Sequence, residues 1–168
     1  LFFEEVSASS LVVVDLDGNL LSPAPYGINR AGFIIHSAIH RARADAHCVI
    51  HLHTIAGTAV AAQAAGLLPI SPGAMYFDGR LGYHDWEGVT VVPDEQARIV
   101  ANLGDNLGLM LRNHGTLTVG RSVASAFERM FHLERACTMQ VRTRMLGPTA
   151  YPVEKLVIEK NEKLVSDP

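Results

Sequence analysis

Short apolar runs alternate with longer stretches of helical spacing along the 168 residues of the chain. Val49, Ile50 and Leu52 give the stretch CVIHLHT the β-branched, apolar pattern of a buried strand. The apolar runs at 109–111 and 116–119 predict two further strands. Strands that alternate with helices along a chain are typical of an α/β fold, so the pattern predicts a sheet that is covered by helices.

Four stretches have the spacing or the end signals of helices. Residues 29–43 and 122–145 carry apolar residues at intervals of three and four, which is the period of an amphipathic helix. Asp94 is predicted to cap a third helix, which reaches to about Leu103. A fourth helix is predicted between Thr54, a plausible N-cap, and Gly66, a residue type that often follows the last helical turn.

The remaining segments predict turns and shorter elements. The Asp17-Gly18 pair in LVVVDLDGNLL is a hairpin signal between two apolar runs. Residues 67–92 are rich in proline and glycine, and we expect short strands there near 75–77 and 89–92. Residues 154–165 predict a short charged helix.

Three histidines lie where strands of the predicted sheet end. Side chains two residues apart on a strand point to the same face, so His51 and His53 project together while Leu52 faces away. His114 follows a second buried strand and precedes Gly115. Three imidazoles with an open fourth position match a catalytic zinc site, whereas a structural site more often has four protein ligands. The alternative is a polar crevice in which these histidines are hydrogen-bonded to the protein.

A polar and aromatic segment, GYHDWEG at 82–88, has the composition of a loop that lines a pocket. His84 or Tyr83 would be the candidate catalytic residue there, since both side chains can transfer a proton, and Asp85 is a further candidate. The alternative is a surface loop whose aromatic side chains pack on the body of the protein.

The composition narrows the functional classes. Hydrophobic residues make up 48% of the chain and charged residues 18%, which is typical of a globular protein. The net charge of −3 and the lack of a Lys/Arg cluster argue against a nucleic-acid partner, and no apolar stretch is long enough to predict a membrane span. Cys48 and Cys137 fall inside predicted elements, which suits free thiols in a reducing, cytoplasmic compartment. We expect a single domain over 1–168 from which an N-terminal portion is missing, because the chain starts at Leu1 in an ordered-looking pattern.

Several stretches together resemble the class II aldolase/adducin family, and most closely the head domain of adducin and its bacterial relatives. The likeness covers about residues 4–145. The resemblance implies a three-layer αβα sandwich around a mixed central sheet. It also implies zinc or another divalent metal ion at His51, His53 and His114, and a homotetramer. The stretches that carry it are VSASSLV, AGFIIHSAIHRAR, CVIHLHTIAGTAVAA, LLPISPGA, YHDWEG and LRNHGTLTVGRSVASAF.

The chain departs from the sugar-phosphate aldolases of that family at their acid/base positions. The family's glutamate corresponds to Gly32, and the serine pair that helps to hold phosphate corresponds to Arg30 and Ala31. Arg30 is therefore the candidate substrate-binding residue. The family's proton-donating tyrosine corresponds to Trp86. Glycine cannot transfer a proton, and an indole is not a useful acid.

Two functions agree with these residues. The first is a zinc-dependent lyase that acts on a small carbonyl or carboxylate compound by decarboxylation or retro-aldol cleavage, because a metal ion with an open position polarises a carbonyl group. The second is a non-catalytic, adducin-like module for binding or assembly. An intact set of three histidines has little use in a pure scaffold, so the sequence favours the lyase.

Overall fold

A mixed four-stranded sheet forms the centre of the fold in a computed structural model, which describes residues 3–24, 26–88, 93–147 and 157. The strands are arranged in the order β1-β4-β3-β2. The pairs β1/β4 and β3/β4 are antiparallel, and the pair β2/β3 is parallel. The strands are β1 (Cys48–Leu52), β2 (Leu81–His84), β3 (Gly108–Leu111) and β4 (Gly115–Gly120).

Helices connect the strands, and side-chain caps fix where several of them begin. Asn29, Thr54 and Ser122 each accept a hydrogen bond from the backbone N–H three residues later, which satisfies one of the free donors of a first turn. Two short 3-10 helices, Phe3–Glu5 and Ala8–Ser10, precede the first α-helix. The α-helices are α1 (Arg30–Ala42), α2 (Ile55–Ala61), α3 (Pro72–Met75), α4 (Pro93–Leu103) and α5 (Val123–Leu146).

The two faces of the sheet are covered by different helices. Strand β3 shows the alternation, because Leu109 and Leu111 are buried against α1 and α4, whereas Met110 is buried against α2 and α5. The three-layer αβα sandwich around a mixed sheet is therefore confirmed. The first core contains Ile35, Ile39, Val49, Ile99, Leu103, Leu117 and Val119, and the second contains Val60, Ala61, Phe77, Leu133 and Cys137.

Several local predictions were wrong. The strand expected near 75–77 is the end of helix α3, because Ser71 caps that helix and Pro72 provides a preformed first-turn geometry. Helix α2 ends at Ala61, before Gly66. The residues predicted as the strand near 89–92 lie outside the described part of the chain, as does the helix predicted at 154–165 apart from Val157.

The apolar runs at 11–21 form a turn with a single bridge and no regular strand pair. Val14 and Leu20 make an isolated antiparallel bridge. The carboxylate of Asp15 accepts backbone N–H bonds from Asp17 and Asn19, both at 2.9 Å, and Gly18 takes a left-handed conformation with φ +86°. The predicted reversal of the chain is therefore present, and it is held by an aspartate side chain as much as by strand pairing.

Candidate metal centre

Strand β1 delivers the first two histidines to one side of the sheet. His51 belongs to the strand and His53 follows it directly. Their ring centroids are 4.6 Å apart, and their Nε2 atoms approach to 2.9 Å. The period of two along a strand thus produces the side-by-side arrangement that the sequence predicted.

The tight connection between β3 and β4 brings the third histidine to the same place. Asn113 has a left-handed backbone with φ +56°, and His114 donates its N–H to the carbonyl oxygen of Leu111 at 3.0 Å. The hydroxyl of Thr58 in α2 donates to the carbonyl oxygen of His114 at 3.2 Å. These contacts fix the His114 backbone from both sides and place its ring centroid 4.9 Å from that of His51.

A backbone contact orients the His51 ring. Its Nδ1 atom lies 2.9 Å from the carbonyl oxygen of Thr116, so Nδ1–H donates and Nε2 keeps its lone pair. Burial lowers the pKa of His51 to about 4, and the nearby His114 and His53 rings act in the same direction. Burial also lowers the pKa of His114, again with help from His53. Burial therefore favours the neutral form of His51 and His114, which is the form that binds a metal ion.

The donor set fits a divalent metal ion. One ring nitrogen from each of His51, His53 and His114 lies within 4.8 Å of the other two. Among the described residues, this cluster is the one place where three or more histidine, cysteine or carboxylate side chains lie close enough together to hold a metal ion. Three imidazoles, one of them oriented by a carbonyl acceptor, are the ligand chemistry of catalytic zinc sites.

An aromatic side chain and a cavity adjoin this cluster. The indole of Trp86 meets the His114 ring edge to face, with the ring centroids 5.1 Å apart. Trp86 and Asn113, the residue before His114, both line a cavity of about 550 Å³. The other lining residues are Ala62, Gln63, Ala64, Asp85 and Arg112.

The candidate proton-transfer residues Asp85, Tyr83 and His84 lie in different surroundings. Asp85 is exposed in the cavity wall. Tyr83 belongs to β2, and its hydroxyl accepts the backbone N–H of Leu67 at 3.1 Å. The expectation that these residues form a loop was wrong for Tyr83 and His84, since both are in strand β2.

The ring of His84 is buried on the α4 side of β2, and both of its nitrogens have partners. Nε2 lies 3.3 Å from a carboxylate oxygen of Glu95, and Nδ1 lies 2.9 Å from the side-chain nitrogen of Asn102. Both partners come from helix α4, 11 and 18 residues further along the chain. These contacts favour a structural role for His84, and its proposed role as a proton donor would require it to exchange a partner.

Arg30 and Gly32 both lie in the first turn of α1. Arg30 is exposed and lines a groove of about 690 Å³ with Asp17 and Phe33. The histidine cluster contributes no side chain to the lining of that groove. Gly32 is the third residue of the helix, and a Cβ atom there would touch only Asn29 at ordinary distances. A larger side chain at Gly32 therefore has room.

Two contributors to the site were missed from the sequence. Thr116 contributes a backbone carbonyl, for which a side-chain pattern gives no signal. The left-handed turn at Asn113 has a weak signal, because asparagine adopts that conformation more readily than most residues do.

Known proteins that resemble this chain belong to one family. Residues 1–141 match the family model for the class II aldolase and adducin N-terminal domain. A protein of Caulobacter vibrioides named as a candidate class 2 aldolase is 52% identical over 147 residues, which are 88% of this chain and 57% of that protein. The chain thus spans little more than half the length of this curated relative.

A eukaryotic relative and a solved structure agree with this assignment. Alpha-adducin of Rattus norvegicus is 49% identical over 146 residues, covering 85% of this chain and 20% of the adducin. The crystal structure of an aldolase II superfamily protein from Pseudomonas syringae superposes with a TM-score of 0.92 at 46% identity, covering 97% of this chain and 66% of that one. The chain therefore belongs to the class II aldolase and adducin family.

Proposed function

We propose that this protein is a divalent-metal-dependent lyase, with zinc as the metal, that acts on a small carbonyl or carboxylate compound. The observation that carries the proposal is the convergence of His51, His53 and His114 beside a cavity. A zinc ion held by these residues would supply Lewis-acid polarisation of a carbonyl oxygen, as retro-aldol cleavage and decarboxylation both require.

The protein's own residues prepare the site for this chemistry. Burial keeps the pKa of the His51 ring low, and in the neutral ring the Nδ1–H bond to the Thr116 carbonyl leaves Nε2 as the nitrogen with the free lone pair. Asp85 is the carboxylate that lines the adjoining cavity, so it is the side chain placed to accept or return a proton. His84 and Tyr83 remain secondary proposals for this step, because the His84 ring is bonded to two side chains of α4 and the Tyr83 hydroxyl to the backbone of Leu67. Arg30 remains a proposed substrate contact on the separate groove.

A non-catalytic, adducin-like assembly module is the second candidate function. The 49% identity to alpha-adducin favours it, as does the exposed apolar face of α5. Phe127 and Phe131 stack on that face with a centroid separation of 6.5 Å. The same face supports a homo-oligomer, and we propose the tetramer that the family resemblance implies.

The two free cysteines support a reducing, cytoplasmic location. In the described part of the chain, no helix is long and apolar enough to cross a membrane.

Elemental analysis of protein purified without chelators tests the metal site. We expect near-stoichiometric zinc or a related divalent ion in the wild type and little in His53→Ala. His47→Ala is the matched control, because His47 is exposed just before β1 and does not belong to the cluster. Full metal occupancy in His53→Ala would refute the assignment.

An activity screen separates the two functions. The full-length protein would be assayed against small oxo acids and hydroxy-aldehydes, with and without added zinc. Turnover that depends on both the metal and His53 supports the lyase. A protein that binds zinc stoichiometrically but turns over no compound in the screen would favour the assembly module.

A further inference from the structure

Trp86 is the single tryptophan of the chain, and its position beside the metal centre is unusual for such a side chain. It is 47% exposed, although an indole gains much more from full burial. Its ring makes a T-shaped contact with the ring of His114, and the side chain is among the residues that line the cavity. An exposed aromatic surface at the mouth of a polar site has the character of a binding surface.

Two contacts tie the segment that carries Trp86 to helix α4. On the N-terminal side, His84 and Glu95 form a pair in which the side chains are only 4% and 7% exposed. On the C-terminal side, Glu87 binds Arg98 through two parallel hydrogen bonds, one of them 2.6 Å long. Trp86 therefore lies between two anchors on one helix, which restricts how far its ring can move.

The other side chains of the cavity wall include two small ones and an arginine that is bonded to the protein. Ala62 and Ala64 offer only methyl groups. The cation among the lining residues is Arg112, which donates to the carbonyl oxygens of Gln63 and Ala64 and lies over the Tyr83 ring at 4.4 Å. Asp85 adds a negative charge. A phosphate group would thus meet an acid and an occupied guanidinium, whereas a flat apolar group would meet the indole and the two alanines.

We propose that Trp86 is a specificity-determining residue of the histidine site, whose indole receives the planar body of a conjugated or aromatic carbonyl compound. The proposal rests on the proposed function, since it concerns the substrate class of the same site. Glu87 and Arg98 act as positioning residues that hold the indole beside His114. The site selects a flat, unphosphorylated carbonyl compound over a phosphorylated sugar.

Calorimetric titration with two matched probes tests this selection on the zinc-loaded protein. Phenylglyoxylate and cyclohexylglyoxylate share the same oxo acid head and differ in whether the ring is flat and aromatic. Aromatic pairing contributes about 0.5–1.5 kcal/mol, so we expect the wild type to prefer phenylglyoxylate by about 2–12-fold. Trp86→Leu should lose this preference, and Trp86→Phe should keep most of it. An unchanged preference in Trp86→Leu, or failure of the zinc-loaded protein to bind either probe, would overturn the proposal.

Two further measurements complete the test. The zinc content of each variant is measured first, because a wild type without zinc refutes the proposed function, whereas a zinc-loaded protein without the phenyl preference refutes only this inference. Arg98→Gln should increase acrylamide quenching of the Trp86 fluorescence and reduce the phenyl preference. Arg121→Gln, at an exposed position between β4 and α5, is the control and should change neither. Equal quenching in the Arg98 and Arg121 variants would show that Arg98 does not position the indole.

Discussion

Gly115 packs against the end of strand β1 with no space for a side chain between it and Leu52. A Cβ atom at Gly115 would overlap the carbonyl oxygen of Leu52 and would lie 3.0 Å from Cδ2 of His53. The glycine therefore allows the β3–β4 connection, which carries His114, to approach the strand that carries the other two histidines. The close approach of two backbones is what brings the three histidines together.

Substituting Gly115 by alanine should damage both stability and metal binding. Because the obstructing atom belongs to the backbone, the strand must move, and we expect a loss of about 1–3 kcal/mol in the free energy of unfolding. Zinc content should fall as well, since His53 and His114 separate. Gly32→Ala is the matched control, because that glycine lies inside α1 with open space, and its replacement should stabilise the protein by about 0.5–1 kcal/mol. Urea unfolding and metal analysis measure both effects; equal stability of the two variants would contradict the argument.

Arg43 connects the end of α1 to the turn between α4 and β3, and Asp45 holds it in place. The guanidinium donates to the carbonyl oxygen of Gly104 at 2.6 Å and makes two bonds of 2.7 Å to Asp45. These bonds from Arg43 lower the pKa of Asp45 to about 2. The carboxylate is 42% exposed, so solvent screening limits the pair to about 1 kcal/mol.

The contribution of Asp45 should depend on pH in a defined direction. A pKa that is lower in the folded state stabilises the protein above the usual value of 3.8, and the benefit disappears as the pH falls through about 2. We therefore expect Asp45→Asn to lower the free energy of unfolding by about 1 kcal/mol at pH 7 and by less at pH 3. Glu128→Gln, an exposed change on α5, serves as the control. A deficit of Asp45→Asn that stays constant between pH 7 and pH 3 would contradict this prediction.

The two cysteines should differ in reactivity. Cys137 is fully buried in α5, and burial, together with the nearby Glu134, raises the pKa of its thiol to about 12. Cys48 is half-buried, and its pKa is raised by burial alone. Because the thiolate is the reactive form, a disulfide reagent at pH 8 should modify only Cys48 in the folded protein, and slowly. Guanidinium should expose both thiols. Modification of Cys48→Ser without denaturant would show that Cys137 is accessible.

The sequence predicted that His51 and His53 lie side by side because that arrangement follows from local rules. His51 and His53 share a face through the period of a strand, and that strand was recognisable from its β-branched residues. The capped starts of α2 and α5 were equally readable from Thr54 and Ser122. Each of these features depends on residues within one or two turns of the chain.

The features that the sequence did not predict depend on distant partners. Strand β2 has only four residues, and its extended conformation is stabilised by parallel pairing with β3. In this pairing Tyr83 lies opposite Met110. The polar residues of this segment therefore indicated a loop. His84 is buried because Glu95 and Asn102 arrive from α4, a pairing that no local pattern contains.

Cleavage of sugar phosphates should be absent or very weak in this protein. The family resemblance implies that Gly32, in the first turn of α1, takes the place of the aldolases' acid/base glutamate, and that Trp86 takes the place of their proton-donating tyrosine. Removal of one general acid or base typically reduces the rate about 10²–10⁴-fold, and the resemblance implies that this chain lacks both groups. Fuculose 1-phosphate, assayed by coupled aldehyde detection beside an authentic family aldolase, should give at least about 10²-fold slower turnover.

Restoring a carboxylate at position 32 tests why cleavage of sugar phosphates should be weak. Because the space around Gly32 is open, Gly32→Glu should fold, and a carboxylate there is expected to raise turnover of the sugar phosphate above the wild-type level. Gly32→Gln is the matched control, since an amide of the same size cannot act as a base. Turnover by the wild type at the rate of the authentic aldolase would show that another residue supplies the proton transfer. Equal rates for the Glu and Gln variants would show that Gly32 lies away from the reacting atoms.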